Sequence, residues 1–512
     1  MTLGAAGSLR GSFAYEFRMQ VRRPAVWIVL LLVIAATVAG SHAPFRMLPL
    51  SLFPKDRIAG ALAGAWAAAL QALCPAAFGC LLADRVARER RLRVDELVES
   101  FPMAPGRLLL GKYLGTAAAT LLPILAAYAA GAVYLTATHG TAVLPQAAAA
   151  FVLTDLPGLL FVAAFSIGCP AVMPVALYQF LFVGYWFWGN FLPPSFRIPT
   201  ISQTILTPRG HYARAAFFPG LAPAVAPTTG LASVALLLAV GALALWATAL
   251  VLGRQRAARS GGGPGAGASR SARARREPDA SGAGRAALLR YELRILGRSV
   301  LLTPLLIVAV FDLLALLTAF AGGHGGIVAR VLTAALEIGM SLGAGIAAAN
   351  LVAAEPAAEL HLALPRGYRA TALRRLAIAV VWTCAVAALM AGILAATGGW
   401  LTDEPFLRSQ LTWAAPILWM AGLGALLALV IRSRAGSVGV VTGVWLAEFI
   451  AHGLFRTNPW LRPVELFATS FAIGAPWWLG NRLELIGMAG AFVLGCWWLL
   501  GNGEALVGGA QE

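Results

Sequence analysis

Gly106, Gly111 and Lys112 stand at the spacing of a phosphate-cradling loop, in the stretch PMAPGRLLLGKYLG from Pro102 to Gly115. The chemistry such a loop serves is nucleotide hydrolysis: backbone amides hold the phosphates, the Lys reaches the terminal ones, and a following Ser or Thr holds magnesium. Here Tyr113 takes the magnesium position. A working loop also follows a buried strand, and neither a strand pattern nor a Walker B acid accompanies this one. A second group of residues could move ions or line a polar path. Asp155, Asp312, Glu337 and Glu448, with Arg330, fall within long apolar runs. A charge in such a place costs about 2.5–3.5 kcal/mol on insertion scales, so each is expected to have a partner or a wet cavity. Asp312 and Arg330, in neighbouring runs, are candidates to pair, whereas Arg330 and Glu337 share a helical face about 10 Å apart along it. The six His have no ligand spacing, the five Cys form no CxxC, and no HExxH or Ser/His/Asp set is present. No catalytic, cofactor-binding or metal-ligating residue is therefore expected.

The elements that must position these residues follow from composition. Of 512 residues, 59% are hydrophobic and only 12% charged, and the mean hydropathy is +0.77. A soluble domain has roughly 25% charged residues. The chain reads as an all-α polytopic membrane protein, because only helices satisfy their own backbone in lipid without closing a barrel. About twelve apolar runs are long enough to cross a hydrocarbon core of roughly 30 Å. In the first half they lie near 24–40, 58–83, 113–136, 147–167, 172–190 and 231–252. In the second they lie near 300–321, 326–352, 376–397, 411–431, 437–454 and 485–500. The net charge of +17 would suit nucleic acid, but most of the 39 Lys and Arg fall in the short segments on one side. That asymmetry is the positive-inside rule; it places both termini in the cytosol and leaves no footprint for nucleic acid.

Between the halves, residues 253–286 are Gly- and Arg-rich and read as a flexible cytosolic linker joining a first unit, 1–252, to a second, 287–512. Tyr15, Glu16, Phe17 and Arg18, then Arg22, recur as Tyr291, Glu292, Leu293 and Arg294, then Arg298, each set just before a span. Both sets read as amphipathic helices on the inner membrane surface, apolar face toward lipid. Glu96-Leu97 precedes Pro102 at the spacing that sets Glu359-Leu360 before Pro365. Two matched elements in one order argue for duplication. They also argue against a cleaved signal peptide at the N-terminus, since such a segment would not be copied mid-chain. The outer segment 190–230, rich in Pro and apolar residues, is expected to form short helices dipping into the outer face.

The segment DRVARERRLRVDELVESFPMAPGRLLLGKYLG, from Asp84 to Gly115, carries a mixed-charge amphipathic stretch that Pro102 and Pro105 end before the third span. Asp84-Arg85, Arg90-Arg91, Glu96-Leu97, Ser100, Pro102, Arg107 and Leu110 to Gly115, behind an amphipathic helix before the first span, resemble the membrane permease of ABC-2 type transporters. The resemblance covers the first six spans, and extends more loosely to the second half through Tyr291–Arg298 and Glu355–Arg366. It implies two six-span repeats, each with a cytosolic elbow helix and a coupling helix. It implies a separate ATP-binding subunit, present as a dimer, that docks on the coupling segments. By position the docking residues are Arg88, Arg91, Asp95, Glu96 and Glu99 in the first half and Glu355, Glu359 and His361 in the second. The implied activity is export across the cytoplasmic membrane with ATP hydrolysed by that partner. The second coupling segment lacks the basic run of the first. A translocation path would be lined by Gln71, Asp155, Gln179 and Glu337; the alternative is that these groups pair between helices as structural glue. Two other functions remain open at this point: an ion-gradient carrier coupled through Asp155, Asp312 or Glu337, and a membrane enzyme acting on lipid-linked substrates.

Overall fold

The computed structural model describes residues 5–47, 53–91, 105–191, 200–202, 204–218, 224–260, 285–320, 322, 325–352, 368–402 and 404–501. These residues form helices, with no strand among them. In chain order, α1 is Ala5–Val21, α2 Pro24–Met47, α3 Ile58–Arg91, α4 Pro105–His139, α5 Val143–Ala171, α6 Val175–Phe191, α7 His211–Phe217 and α8 Pro227–Ser260. After the linker come α9 Arg285–Phe320, α10 Gly325–Val352, α11 Tyr368–Ala396, α12 Leu411–Ile431, α13 Arg434–Ile450, α14 Ala468–Phe471 and α15 Trp478–Leu499.

Nine helices among the described residues are long and apolar enough to cross a membrane. Of the others, α2 has 24 residues, while α6 and α13 have 17 each, about 26 Å of helix. The chain is thus an all-α polytopic protein. The windows of α3 and α10 are 78% and 89% buried, against 17% and 22% for α8 and α15. The second apolar helix of each unit is therefore central and the last peripheral, where Leu238, Leu243, Trp246, Leu494 and Trp498 face outward.

Helices before residue 261 pack on helices after residue 284 along two seams. Helix α3 packs against α13, and α10 against α6; α2 also touches α13, and α9 touches α6. At the first of these seams the Cys80 thiol lies 3.9 Å from the Thr442 hydroxyl. Small residues let backbones approach, as lipid-embedded packing requires. At Gly424 of α12, a methyl group would fall 2.3 Å from the Gly345 carbonyl oxygen of α10.

The elbow helix α1 differs from expectation in what it turns inward. It lies on α4, and its Glu16 and Gln20 are buried. Glu16 accepts two hydrogen bonds from the Arg85 guanidinium, at 2.7 and 2.8 Å, and Gln20 donates to Thr120 Oγ1 at 3.2 Å. Phe13 and Phe17 stack on each other, half-buried. The face of α1 turned to the bundle carries Glu16 and Gln20, and a bidentate pair with Arg85 satisfies the buried carboxylate. The glycines of the GKYLG stretch explain the close approach. A methyl group at Gly111 would meet Ser12 Oγ at 2.6 Å, and one at Gly115 would meet the Phe13 carbonyl oxygen at 2.6 Å. Gly111 and Lys112 lie inside α4, with no sheet around them, so the phosphate-loop spacing is a helix-packing feature.

In the second unit Glu292 is buried in α9 and is bonded by both Arg374 and Arg375 of α11, the latter at 2.8 Å. Burial alone would raise the Glu292 pKa, but the hydrogen bonds and charges of Arg375 and Arg374 outweigh it and hold the carboxyl below its ordinary value.

Candidate functional site

Two helices are interrupted by a single π turn, Phe151–Asp155 in α5 and Ala335–Gly339 in α10. A π turn displaces the regular ladder and leaves carbonyls to be satisfied from outside. Tyr128 Oη donates to the Ala147 carbonyl at 2.8 Å, and Trp445 Nε1 to the Ile338 carbonyl at 2.9 Å. Asp155 and Glu337, two of the charges foreseen from sequence, sit in these turns. Both are buried.

Opposite the elbow end, the segments that follow α6 and α13 fold back between helices. Gln71, about 20 Å along α3 from its start, donates from Nε2 to the Pro208 carbonyl at 2.9 Å, so the 200–208 segment reaches the middle of the bundle. Asn190, near the end of α6, accepts from Thr207 Oγ1 at 2.9 Å through its side chain and from Arg209 at 3.0 Å through its carbonyl. Ser233 of α8 donates to the Ile205 carbonyl at 2.6 Å. Gly158 of α5 admits the segment, because a methyl there would fall 2.0 Å from the Pro208 oxygen. Gly210, at φ 64°, begins α7 against the π turn, where a methyl would lie 2.5 Å from the Thr154 carbonyl oxygen.

The second unit holds its segment at matching places with charged groups. Glu337, about 18 Å along α10, accepts the Thr469 and Ser470 backbone N–H groups at 2.9 and 2.8 Å and the Ser470 hydroxyl. Near the end of α13, Glu448 accepts the Leu466 N–H at 2.7 Å. Arg482, in the first turns of α15, donates to the Leu466 carbonyl at 2.9 Å and to Glu337 at 2.8 Å. Arg482 and Glu337 are both fully buried, so their pairing and their bonds to the segment offset a desolvation cost of several kcal/mol per ion. Trp478 Nε1 donates to Thr469 Oγ1 at 2.9 Å, and Asn481 Nδ2 to the Arg462 and Glu465 carbonyls. Glu465 is 1% exposed, and neither of its carboxyl oxygens has a hydrogen-bond partner among the described residues. Burial pushes its pKa up to about 7, against the lowering effect of Arg482.

The four path candidates are thus separated. Gln71 and Glu337 each anchor a re-entrant segment. Gln179, on α6, donates to the Cys80 carbonyl at 3.2 Å and faces Asn350 across the seam with α10. Asp155 has its Oδ2 buried without a partner among the described residues, while Thr154 Oγ1 lies 3.4 Å from Oδ1. Asp312 and Arg330 are exposed and no ion pair joins them, so that expected pairing is not formed. Of the docking residues, Asp95, Glu96, Glu99, Glu355, Glu359 and His361 lie outside the described residues, as do the side chains of Arg88 and Arg91 at the end of α3.

Sequence reasoning missed Arg482 as an intramembrane charge, because the apolar run starts only at Leu485 whereas the helix begins at Trp478. Asn190 and Ser233 carry no charge to draw attention; the usable signal is that Asn190 and Glu448 stand at the same place, just before the ends of α6 and α13. No group of His, Cys, Asp and Glu among the described residues could hold a metal. Comparison with family models, curated proteins and solved structures gives no match to this chain.

Proposed function

We propose that this chain is the membrane-spanning permease of an ABC-2 type transporter, two six-span units fused by the 253–286 linker and driven by a separate ATP-binding dimer. The observation that supports it best is the reciprocal seam, α3 on α13 and α10 on α6, with a re-entrant segment reaching mid-bundle in each unit. Such a seam is where two rigid units rock against each other in alternating access, and the segments stand where a gate at the outer end belongs. In this reading both termini are cytosolic, in a cytoplasmic membrane, and transport is outward. The buried Glu16–Arg85 and Glu292–Arg375 pairs couple each elbow helix rigidly to its unit. Arg88 to Glu99 and Glu355 to His361 form the docking surface.

The test is affinity purification of the full chain in mild detergent, with bound proteins identified by mass spectrometry and ATPase activity assayed. A stoichiometric P-loop ATPase is expected, released by charge reversal at Glu96 and Glu359 while the permease stays inserted. A chain that comes down alone and inactive across gentle detergents overturns the proposal. The second reading, a carrier coupled to an ion gradient, is favoured by one observation, the partnerless Oδ2 of Asp155 in a π turn. It predicts that Asp155→Asn abolishes ion-driven uptake in vesicles without ATP.

A further inference from the structure

The turn before α7 and α7 itself bring Arg209, His211 and Arg214 around a partly open cavity of about 60 Å³, lined also by Ala68, Asn190, Ser202 and Thr207. That space accommodates about four water molecules, or one tetrahedral oxyanion. Arg209 is fixed in place: it donates to the Asn190 carbonyl at 3.0 Å, and its guanidinium lies 4.0 Å from the Phe191 ring centroid. Arg214 has no hydrogen-bond acceptor among the described residues, and the acidic group acting on it is Asp155 of the neighbouring π turn. Among the described residues, Asp155 acts on Arg214, and no acidic group acts on Arg209. The Thr207 hydroxyl proton is already committed to Asn190, so the nitrogen donors that line the cavity from side chains among the described residues are the two guanidiniums and the imidazole, with the Ser202 hydroxyl beside them.

The electrostatics agree with the geometry. Burial, and then the charge of Arg214, lowers the Arg209 pKa to about 10. Burial, with Arg214 and Arg209 beside it, holds His211 below its ordinary value. Among the described residues these cations have one acidic neighbour, Asp155 beside Arg214. The second unit shows that the excess is not needed to hold a re-entrant segment, since there Arg482 lies among Glu337, Glu448 and Glu465.

We propose that this cavity is a binding site for a single phosphate-type oxyanion, held by the guanidinium forks of Arg209 and Arg214 with His211 as a third donor. Guanidinium forks match the oxygens of a phosphate in pairs, and the half-buried setting strengthens such bonds over those in water. The group can arrive as free phosphate or as the headgroup of an anionic lipid. The site does not depend on the transporter reading, and no ATPase enters its test.

The full chain, purified in a neutral detergent, is titrated with sodium phosphate and with sodium chloride at matched ionic strength while its thermal midpoint is followed. A saturable rise with phosphate alone is expected. Arg214→Gln should weaken the apparent phosphate affinity about tenfold, the effect of losing one charge-assisted contact. Ala68→Leu, which fills the cavity and leaves every charge in place, should abolish the response. Native mass spectrometry from nanodiscs of phosphatidylglycerol or of phosphatidylcholine separates the sources. Phosphatidylglycerol retained and then displaced by phosphate identifies a lipid headgroup, whereas a phosphate response without lipid retention identifies a free anion. An equal rise in chloride, or a phosphate response unchanged in both variants, overturns the proposal. If one variant fails to fold, the other and the wild-type comparison of salts still decide.

Discussion

The two re-entrant segments do the same backbone task with different chemistry. In the first unit Gln71, Asn190 and Ser233 hold it with neutral amides and a hydroxyl; in the second Glu337, Glu448 and Arg482 hold it with two carboxyl groups and a guanidinium. The positions correspond: mid-length in the second apolar helix, just before the end of the fifth, and in the first turns of the last. Neutral groups are cheaper to desolvate but provide no counter-charge. Ions cost more to bury and are held in place only while all of them are present. The first segment therefore has two guanidiniums beside it with Asp155 acting on one of them, and the second a buried network that deleting Arg482 breaks.

The sharpest way to break this comparison is at the last helix of each unit. Arg482→Leu should destabilise the protein by about 3–5 kcal/mol, because Glu337 is then a buried charge without its partner. Ser233→Ala, at the matching position, should cost about 1 kcal/mol. Unfolding midpoints in detergent measure both, and equal losses would mean that the charged network carries no special weight. The elbow helices offer the next contrast. Glu16→Ala removes both acceptors of the Arg85 fork, whose side chain is 5% exposed, whereas Glu292→Ala removes acceptors shared between Arg375 and Arg374, the latter 42% exposed and easily rehydrated. The first loss should approach about 3 kcal/mol and the second should be roughly half of it; reversed sizes would show that the elbows are clamped by packing. Gln71→Leu should cost about 1–3 kcal/mol by leaving the Pro208 carbonyl unsatisfied, read as the same midpoint shift.

The last contrast is a slope against pH. The folded pKa of Glu465, about 7, lies above the ordinary value of 4.5. The folded state therefore binds the proton more tightly than the unfolded one. Its contribution is fully present below about pH 4.5 and is lost as pH rises toward 7. One proton limits the slope to about 1.4 kcal/mol per pH unit. Glu465→Gln should flatten stability across that window, and an unchanged profile would assign the titration elsewhere.

Much of the helix arrangement was legible because apolar length in lipid leaves few alternatives. The run read at 411–431 is α12 as it stands, and 326–352 begins one residue into α10. The last span was misplaced for a physical reason: Asn481, Arg482 and Glu484 in its first turns look like a loop until Glu337 is seen to receive Arg482. Both π turns were invisible, since Phe151–Asp155 and Ala335–Gly339 contain nothing that distinguishes them from regular helix. The inward face of α1 was likewise hidden. Periodicity identified its apolar stripe but could not say that Arg85, far along the chain, would bury Glu16.

The seam between α3 and α13 also sets a schedule for biogenesis. Cys80 and Thr442, which meet there, are 362 residues apart in the chain. At roughly 5–20 residues per second, α3 waits on the order of 20–70 s for the helix that covers it. Throughout that interval the closely packing surface of the most enclosed helix of the first unit faces lipid or a chaperone. A chain ended near residue 260 never receives its cover and should be removed by membrane proteases unless α10–α15 are supplied as a second polypeptide.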